Sequence, residues 1–254
     1  MYILGIDSGT GRVSVAVNSD RQLLSKVEYG KNQKYMVSII YLIDKALKKA
    51  NISLDFVDLF AVNIGPGDFT GTRIGVSVAK TLAWTGSKPI CGIGSLDITA
   101  LDIFFKNLNK IQKLLGKGKQ IIIAPILDIK RNEVFFSFFK VEESSLDIAD
   151  GDHPEFKAYT ISSITIQNKN YFINKFSGGY LAESKDFNKK FKDLFFLDGS
   201  GFSSYRHPES ALHLNLCAYY SYSKNRQPDY NLDDYGLAPL YVREFTPFKT
   251  SNAG

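Results

Sequence analysis

The sequence predicts an α/β protein built on a mixed sheet, and three observations predict it. The first thirty residues hold three apolar or alternating runs separated by short polar or glycine turns. Two long helical stretches follow, each leading into an apolar strand. A second set of strongly apolar strands opens near residue 121. The first strands are expected at Tyr2–Ser8, Val13–Asn18 and Leu23–Tyr29, with Gly11 in the first connection and the polar run 18–22 turning the second. Three strands with such tight links read as an antiparallel meander.

The segment "KNQKYMVSIIYLIDKALKKAN" predicts a helix over Gln33–Asn51, because Met36, Ile39, Ile40, Ile43 and Leu47 recur at helical spacing. Tyr35, Val37, Tyr41 and Leu42 fill much of the remaining surface, and from Tyr35 to Ile43 only Ser38 is polar. A helix apolar nearly all round must be covered on more than one side, which a single sheet cannot do. A strand at Leu59–Ile64 precedes "NIGPGDFTGTRIGVSVAKTLAW". In that block Gly65, Pro66 and Gly67 form a turn, Asp68 or Thr70 caps, and a helix runs over Thr70–Trp84. Gly71, Gly75, Ala79 and Ala83 fall four apart and make a stripe of very small side chains, next to an apolar stripe of Ile74, Val78 and Leu82. Each interior glycine costs roughly 1 kcal/mol of helix propensity, so the stripe implies another backbone in close approach, in this chain or another. A short strand at Pro89–Ile93 completes the order strand, strand, strand, helix, strand, helix, strand, which is that of a ribonuclease-H-like unit.

In the second half, "IIIAPILDI" and "VFFSFFKV" are two strands joined by the polar turn "KRNE" into a hairpin. "DLFFLDGSG" reads as a strand with a glycine turn, and "SALHLNLCAYYSYSK" as a late helix. The polar stretch between Glu142 and Lys192 reads as peripheral loops and edge strands.

Composition narrows the function classes. No apolar run of about 18 residues occurs, and the opening run reaches an acid at Asp7, so neither a membrane span nor a signal peptide is expected. A soluble cytoplasmic protein is. Cys91 and Cys217, each in apolar surroundings, read as small buried hydrophobes. The only histidines, His153, His207 and His213, lie outside the glycine-rich blocks and off ligand spacing, so no metal site is expected. There is neither a G-x-S-x-G elbow nor a P-loop, and no catalytic residue is assigned. "GIDSGTG" sets Asp7, Ser8, Gly9 and Thr10 in a strand-to-strand turn, where amides and hydroxyls can cradle a phosphate; a plain tight turn uses the same residues. The net charge of +5, with Lys106, Lys110, Lys113, Lys117 and Lys119 close together, fits a polyanion contact or a solvated helix end.

Taken together, "ILGIDSGTGRVSVAV", "LFAVNIGPGDFTGTRIGVSVAKTLA", "PICGIGSLDITA", "APILDIKRNEVFFSFF" and "APLYVREFTPFK" resemble the TsaB (YeaZ) family. Its members are non-catalytic paralogues of the transferase TsaD in bacterial tRNA threonylcarbamoyladenosine synthesis. The resemblance implies a two-lobed actin-like ATPase (ASKHA) fold with ribonuclease-H-like lobes: a first lobe over residues 1–110 and a reduced second lobe over 111–254. It also implies a scaffold that binds a TsaD-like transferase through its two first-lobe helices and supports a TsaE-like ATPase in modifying ANN-decoding tRNA. Alone, the chain would form a homodimer. Mapped here, the partner-binding residues are Tyr35, Met36, Ile39, Ile40, Ile43, Thr70, Gly71, Arg73, Ile74, Gly75, Val78 and Ala79. The HxxxH metal motif that the transferase carries has no counterpart in this chain. The "DSGT" turn is closer to an active phosphate loop than the Asp-Thr-Ser-Thr usual in the family. ATP or ADP with Mg at the complex interface therefore stays open, though no cofactor is required. The alternative is a small actin-like ATP-dependent kinase or hydrolase using Asp7, Thr10 and the Asp198 turn, which needs two opposed phosphate loops. Direct tRNA contact through the lysines is a possible addition to the scaffold role.

Overall fold

The computed structural model describes residues 1–10, 12–29, 39–119, 121–128, 133–144, 159–166, 169–175, 180–183, 196–198, 210–223 and 238–239. The meander is present as β1 (Tyr2–Asp7), β2 (Val13–Ser19) and β3 (Gln22–Tyr29). Helix α1 (Ile39–Ala50) leads through a single 3-10 turn to β4 (Leu59–Gly65), then come α2 (Phe69–Thr85) and β5 (Ile90–Gly94). The first sheet has the order β3-β2-β1-β4-β5, with β1 antiparallel to β2 and parallel to β4, and β4 parallel to β5. This is the ribonuclease-H-like arrangement expected from the element order.

Strand alternation assigns the layers. Leu4, Ile6, Val15, Val17, Phe60, Val62 and Ile64 point to one face, where α1 and α2 cover them. Ile3, Leu59, Ala61 and Cys91 share the other face with two further helices, α3 (Ser95–Lys106) and α5 (Ser210–Ser223). Both faces are covered, so β4 is buried along its whole length and reads as a continuous apolar run. Helix α3 is buried from Ser95 to Phe104, and α4 (Leu108–Leu115) follows it.

The expected hairpin of the second half exists but is split. Pro125 divides its first arm into β6 (Ile121–Ala124) and β7 (Ile126–Asp128), and the second arm breaks into β8 (Glu133–Phe136) and β9 (Phe139–Ser144). Proline has no N–H to donate to a ladder, so the arm changes partners there. β6 pairs with β9 and β7 with β8, placing the two ends of one hairpin in different sheets. The larger sheet has the order β10-β11-β9-β6-β13 and adds β10 (Tyr159–Ile166), β11 (Lys169–Lys175) and β13 (Phe196–Asp198). The smaller sheet has the order β12-β8-β7, with β12 at Tyr180–Glu183. β6 has an antiparallel neighbour on one side and the parallel β13 on the other, repeating the plan around β1. Residues 142–192 thus supply paired strands, of which β11 lies inside its sheet.

Helix α5, from near the end of the sequence, inserts Asn215 against the first sheet. Its Nδ2 donates to Asn18 Oδ1 at 2.9 Å and to Ala16 O at 3.2 Å. Its Oδ1 lies where a Cβ on Gly5 would sit, so β1 accepts α5 at this distance only with glycine at that position. Among the described residues no helix is long and apolar enough to cross a membrane.

Two measurements test this packing. Gly5→Ala should lower stability to urea by about 2–3 kcal/mol through overpacking, and Asn215→Ala in the same chain should recover a large part of that loss. Burial pushes the Cys91 thiol up to about 12, so the reactive thiolate is absent at neutral pH. Iodoacetamide should label Cys91 in denaturant and leave it unlabelled in the native chain.

Candidate functional site

β1, β4 and β5 run parallel and finish at one edge of the first sheet, where α2 and α3 begin. Such an edge is where ligands bind in open α/β sheets. The turn Asp7–Thr10 lies there. Asp7 is fully buried, and its carboxylate accepts from Gly9 N at 2.9 Å, Asn63 Nδ2 at 2.8 Å and Thr10 Oγ1 at 2.9 Å. Asn63 Oδ1 in turn accepts from Gly65 N at 2.8 Å and Ser95 Oγ at 2.9 Å. One buried amide therefore joins the ends of β1 and β4 to the start of α3.

The turn is also tied to α2. Ser8 Oγ donates to Gly71 O at 2.7 Å, and Asp68 N donates to Gly9 O at 2.7 Å. Asp68 caps the helix by accepting from Gly71 N at 2.6 Å. A Cβ on Gly67 would strike Gly9 O, one on Gly71 would strike Ser8 O, and one on Gly75 would strike Ser8 Oγ. The small-residue stripe therefore serves a contact inside this chain. Of the residues that the resemblance places on a partner surface, Gly71, Gly75 and Ala79 are buried within this chain, as are Ile39 and Ile43 on the inner side of α1.

Several donors of the turn are bonded inside the protein, so a phosphate at the cradle expected at Asp7, Ser8, Gly9 and Thr10 would have to be met by its other backbone amides. The Gly9 amide and the Thr10 hydroxyl face Asp7, and the Ser8 hydroxyl faces Gly71. Among the nearby side chains, Thr72 Oγ1 is buried without a hydrogen bond, beside Gly9 and Asn63. Asn63, Ser95 and Thr72 were not singled out from sequence. Asn63 closes an apolar strand and Ser95 opens a helix without a capping pattern, so nothing local marked them. Asp198 ends β13, in register with Ala124 of β6, and residues 199–203 of its turn lie outside the described set. Among the described residues no three His, Cys, Asp or Glu side chains converge as metal ligands. His213 stacks on Phe105 at 5.2 Å and lies 3.8 Å from Asp102, between α3 and α5.

The outer surfaces of α1 and α2 carry the second concentration of interest. α1 is two-sided rather than apolar all round: Leu42, Ile43, Ala46 and Leu47 face the sheet, while Ile40 and Tyr41 are each 52% exposed. On α2, Phe69, Ile74 and Trp84 are 44%, 46% and 65% exposed. Thr70 and Arg73 are exposed as well, with the Arg73 guanidinium 3.8 Å from the Phe69 ring centroid, and Val78 is half-buried. Tyr35 and Met36 lie outside the described residues.

A family model described as "TsaD: tRNA N6-adenosine threonylcarbamoyltransferase" matches residues 24–157, over half of the chain. The chain belongs to the TsaD family. Within it, the chain is 34% identical over 173 residues to a tRNA N6-adenosine threonylcarbamoyltransferase of Brachyspira hyodysenteriae, covering 60% of this chain and 48% of that protein. It is 25% identical over 147 residues to the tRNA threonylcarbamoyladenosine biosynthesis protein TsaB of Bacillus subtilis, and 28% over 146 residues to that of Escherichia coli, each match covering 58% of both chains. The chain thus spans about half the length of the curated relatives it matches. A solved structure of YeaZ from Pseudomonas aeruginosa superimposes with a TM-score of 0.64 at 14% identity, over 95% of this chain and 99% of that one. This TsaD-family chain therefore has the YeaZ fold.

Asn63→Ala should lower stability by about 2–4 kcal/mol, because it strips buried partners from Asp7, Ser95 and the Gly65 amide at once. Gly75→Leu should shift the urea midpoint down by driving Ser8 out of the turn. Equilibrium unfolding followed by circular dichroism checks both.

Proposed function

We propose that this chain is a non-catalytic subunit of tRNA threonylcarbamoyladenosine synthesis that docks on a TsaD-like transferase through the outer face of α1 and α2. One observation carries the reading: among the described residues nine large hydrophobic side chains are exposed, and five of them sit on these two helices. Concentrated exposed apolar area of this kind marks an interaction surface. The process is that for which the TsaB relatives are named. The docking residues are Ile40, Tyr41, Phe69, Thr70, Arg73, Ile74 and Trp84, with Val78 at the margin. A TsaE-like ATPase acts on the assembled pair, and a nucleotide with Mg belongs to that assembly. In the absence of the transferase the same face pairs with a second copy, as a self-complementary patch can.

The non-catalytic assignment rests on chemistry. The chain has three histidines in total and no HxxxH pair. The kinase or hydrolase reading needs several donors free to meet phosphate oxygens, and the Ser8 and Thr10 hydroxyls and the Gly9 amide of the turn are bonded to Gly71 and Asp7, which weighs against it.

The test is reconstitution with the transferase and ATPase of the same source. tRNA modification should require this chain, and Ile40→Asp with Ile74→Asp should weaken the heterodimer roughly 30-fold or more in calorimetry, since each half-exposed isoleucine contributes about 1 kcal/mol on burial. The melting temperature should stay within about 2 °C, as expected of surface substitutions. Wild-type binding by that variant would move the docking face elsewhere, and Mg-ATP turnover by the isolated chain would favour the enzyme.

A further inference from the structure

We propose that the outer face of α4 and the turn that ends it, carrying Lys110, Lys113, Lys117 and Lys119, is a contact for the phosphate backbone of RNA. The choice of RNA over other polyanions rests on the function proposed above.

Helix α4 is seated by its inner side: Ile111 is fully buried, and Leu108, Leu114 and Leu115 pack on the core beneath. The helical path continues past Leu115. Lys119 N donates to Leu114 O at 3.0 Å and Gly118 N to Leu115 O at 2.8 Å, with Gly118 at φ 69°. That is a Schellman closure, so Lys117 still lies on the helix. Lys110, Lys113 and Lys117 are then spaced i, i+3 and i+7 and share one side, about 5 and 6 Å apart along the axis at 1.5 Å rise per residue. Lys119 follows at the turn, and all four are exposed.

The face is of one sign. No Asp or Glu occurs between Leu108 and Lys119. Among the described residues none of the four lysines makes an ion pair. Lys106 differs and is left out, because its Nζ sits 2.6 Å from the buried carboxylate of Asp102. Unpaired lysines at helical intervals suit a flexible row of phosphates, which releases counterions when neutralised. A membrane surface suits them poorly. An interfacial helix presents large apolar side chains beside its cations, whereas here every leucine and isoleucine of α4 turns inward, and the exposed companions are Asn109, Gly116 and Gly118. Lys113, Lys117 and Lys119 lie towards the helix C-terminus, where the helix dipole favours cations and offsets part of the repulsion among like charges at helical spacing.

The experiment is binding of a fluorescent, unmodified tRNA transcript to the full-length chain across a salt series. Four phosphate contacts should make affinity fall on the order of 100-fold between 50 and 200 mM salt. Lys110, Lys113, Lys117 and Lys119 each changed to Gln should weaken binding at low salt at least tenfold and flatten the log–log slope by about 3. The same four changed to Arg should bind as wild type. Three results would overturn the inference: an unchanged slope in the Gln variant, an equal loss when Arg21, Lys26, Lys88 and Lys140 are changed to Gln instead, or capture by phosphatidylserine vesicles with no capture of tRNA. In the reconstituted system the Gln variant should raise the KM for tRNA with kcat retained. A wild-type chain that fails to stimulate the transferase would overturn the proposed function, while the salt series would still decide the α4 contact.

Discussion

The β1–β2 turn lies directly against the start of α2, with room for no side chain between the Ser8–Gly9 backbone and Gly67 and Gly71, or between the Ser8 hydroxyl and Gly75. That approach lets Ser8 reach Gly71 O and Gly9 reach Asp68 N, and it brings Asp7 under the amide of Asn63. Two consequences follow. The loop that could have received a ligand is drawn into the protein's own hydrogen bonds. Helix α2, held hard by its small side, has its large side chains turned outward. A wider spacing would have left the turn open and rotated Ile74 and Trp84 into a gap. The same glycines thus set both the closure of the turn and the outward direction of Phe69, Ile74 and Trp84.

How legible this was differs from element to element. β1 to β3 are readable from apolar or alternating runs with short turns between them, β4 and β5 from short apolar runs, and α2 from its period and the turn before it. For α1, the apolar residues beyond one sheet-facing side point to surface the sheet leaves uncovered, and Ile40 and Tyr41 are exposed there, while residues 33–38 of the expected helix lie outside the described set. α3 went unassigned for a physical reason: "SLDITALDIFF" is sheltered on all sides, so burial imposes no stripe and periodicity has nothing to detect. Its acids are no guide, because the buried Asp102 is held by Lys106 one turn on in the same helix. The glycine stripe announced a close neighbour, and local pattern could not say whose. The identity of that neighbour is a long-range fact, set by the register of β1 on β4, which no segment of the sequence contains by itself.

The functional reading joins two kinds of support that fail in different ways. Family membership narrows the process but embraces both a transferase and its partner, and the matches cover only about half of those proteins. The proposed role therefore rests on the side chains, above all on five large exposed apolar groups carried by two helices of the first sheet. The lysine face of α4 lies on a different element from α1 and α2, so a transferase and a nucleic acid would not have to compete for the same helices.

Helix α5 has an implication for how the protein is made. The side of the first sheet bearing Ile3, Leu59, Ala61 and Cys91 is roofed partly by α3 and partly by residues 211–218, the latter about two hundred positions after Ile3. A nascent chain leaving the ribosome would carry the part under α5 bare until that helix had been synthesised, and Gly5 would wait for Asn215 throughout. The earliest strand to emerge is therefore among the last to be finished, which makes translation speed and the attention of chaperones part of this fold's biology.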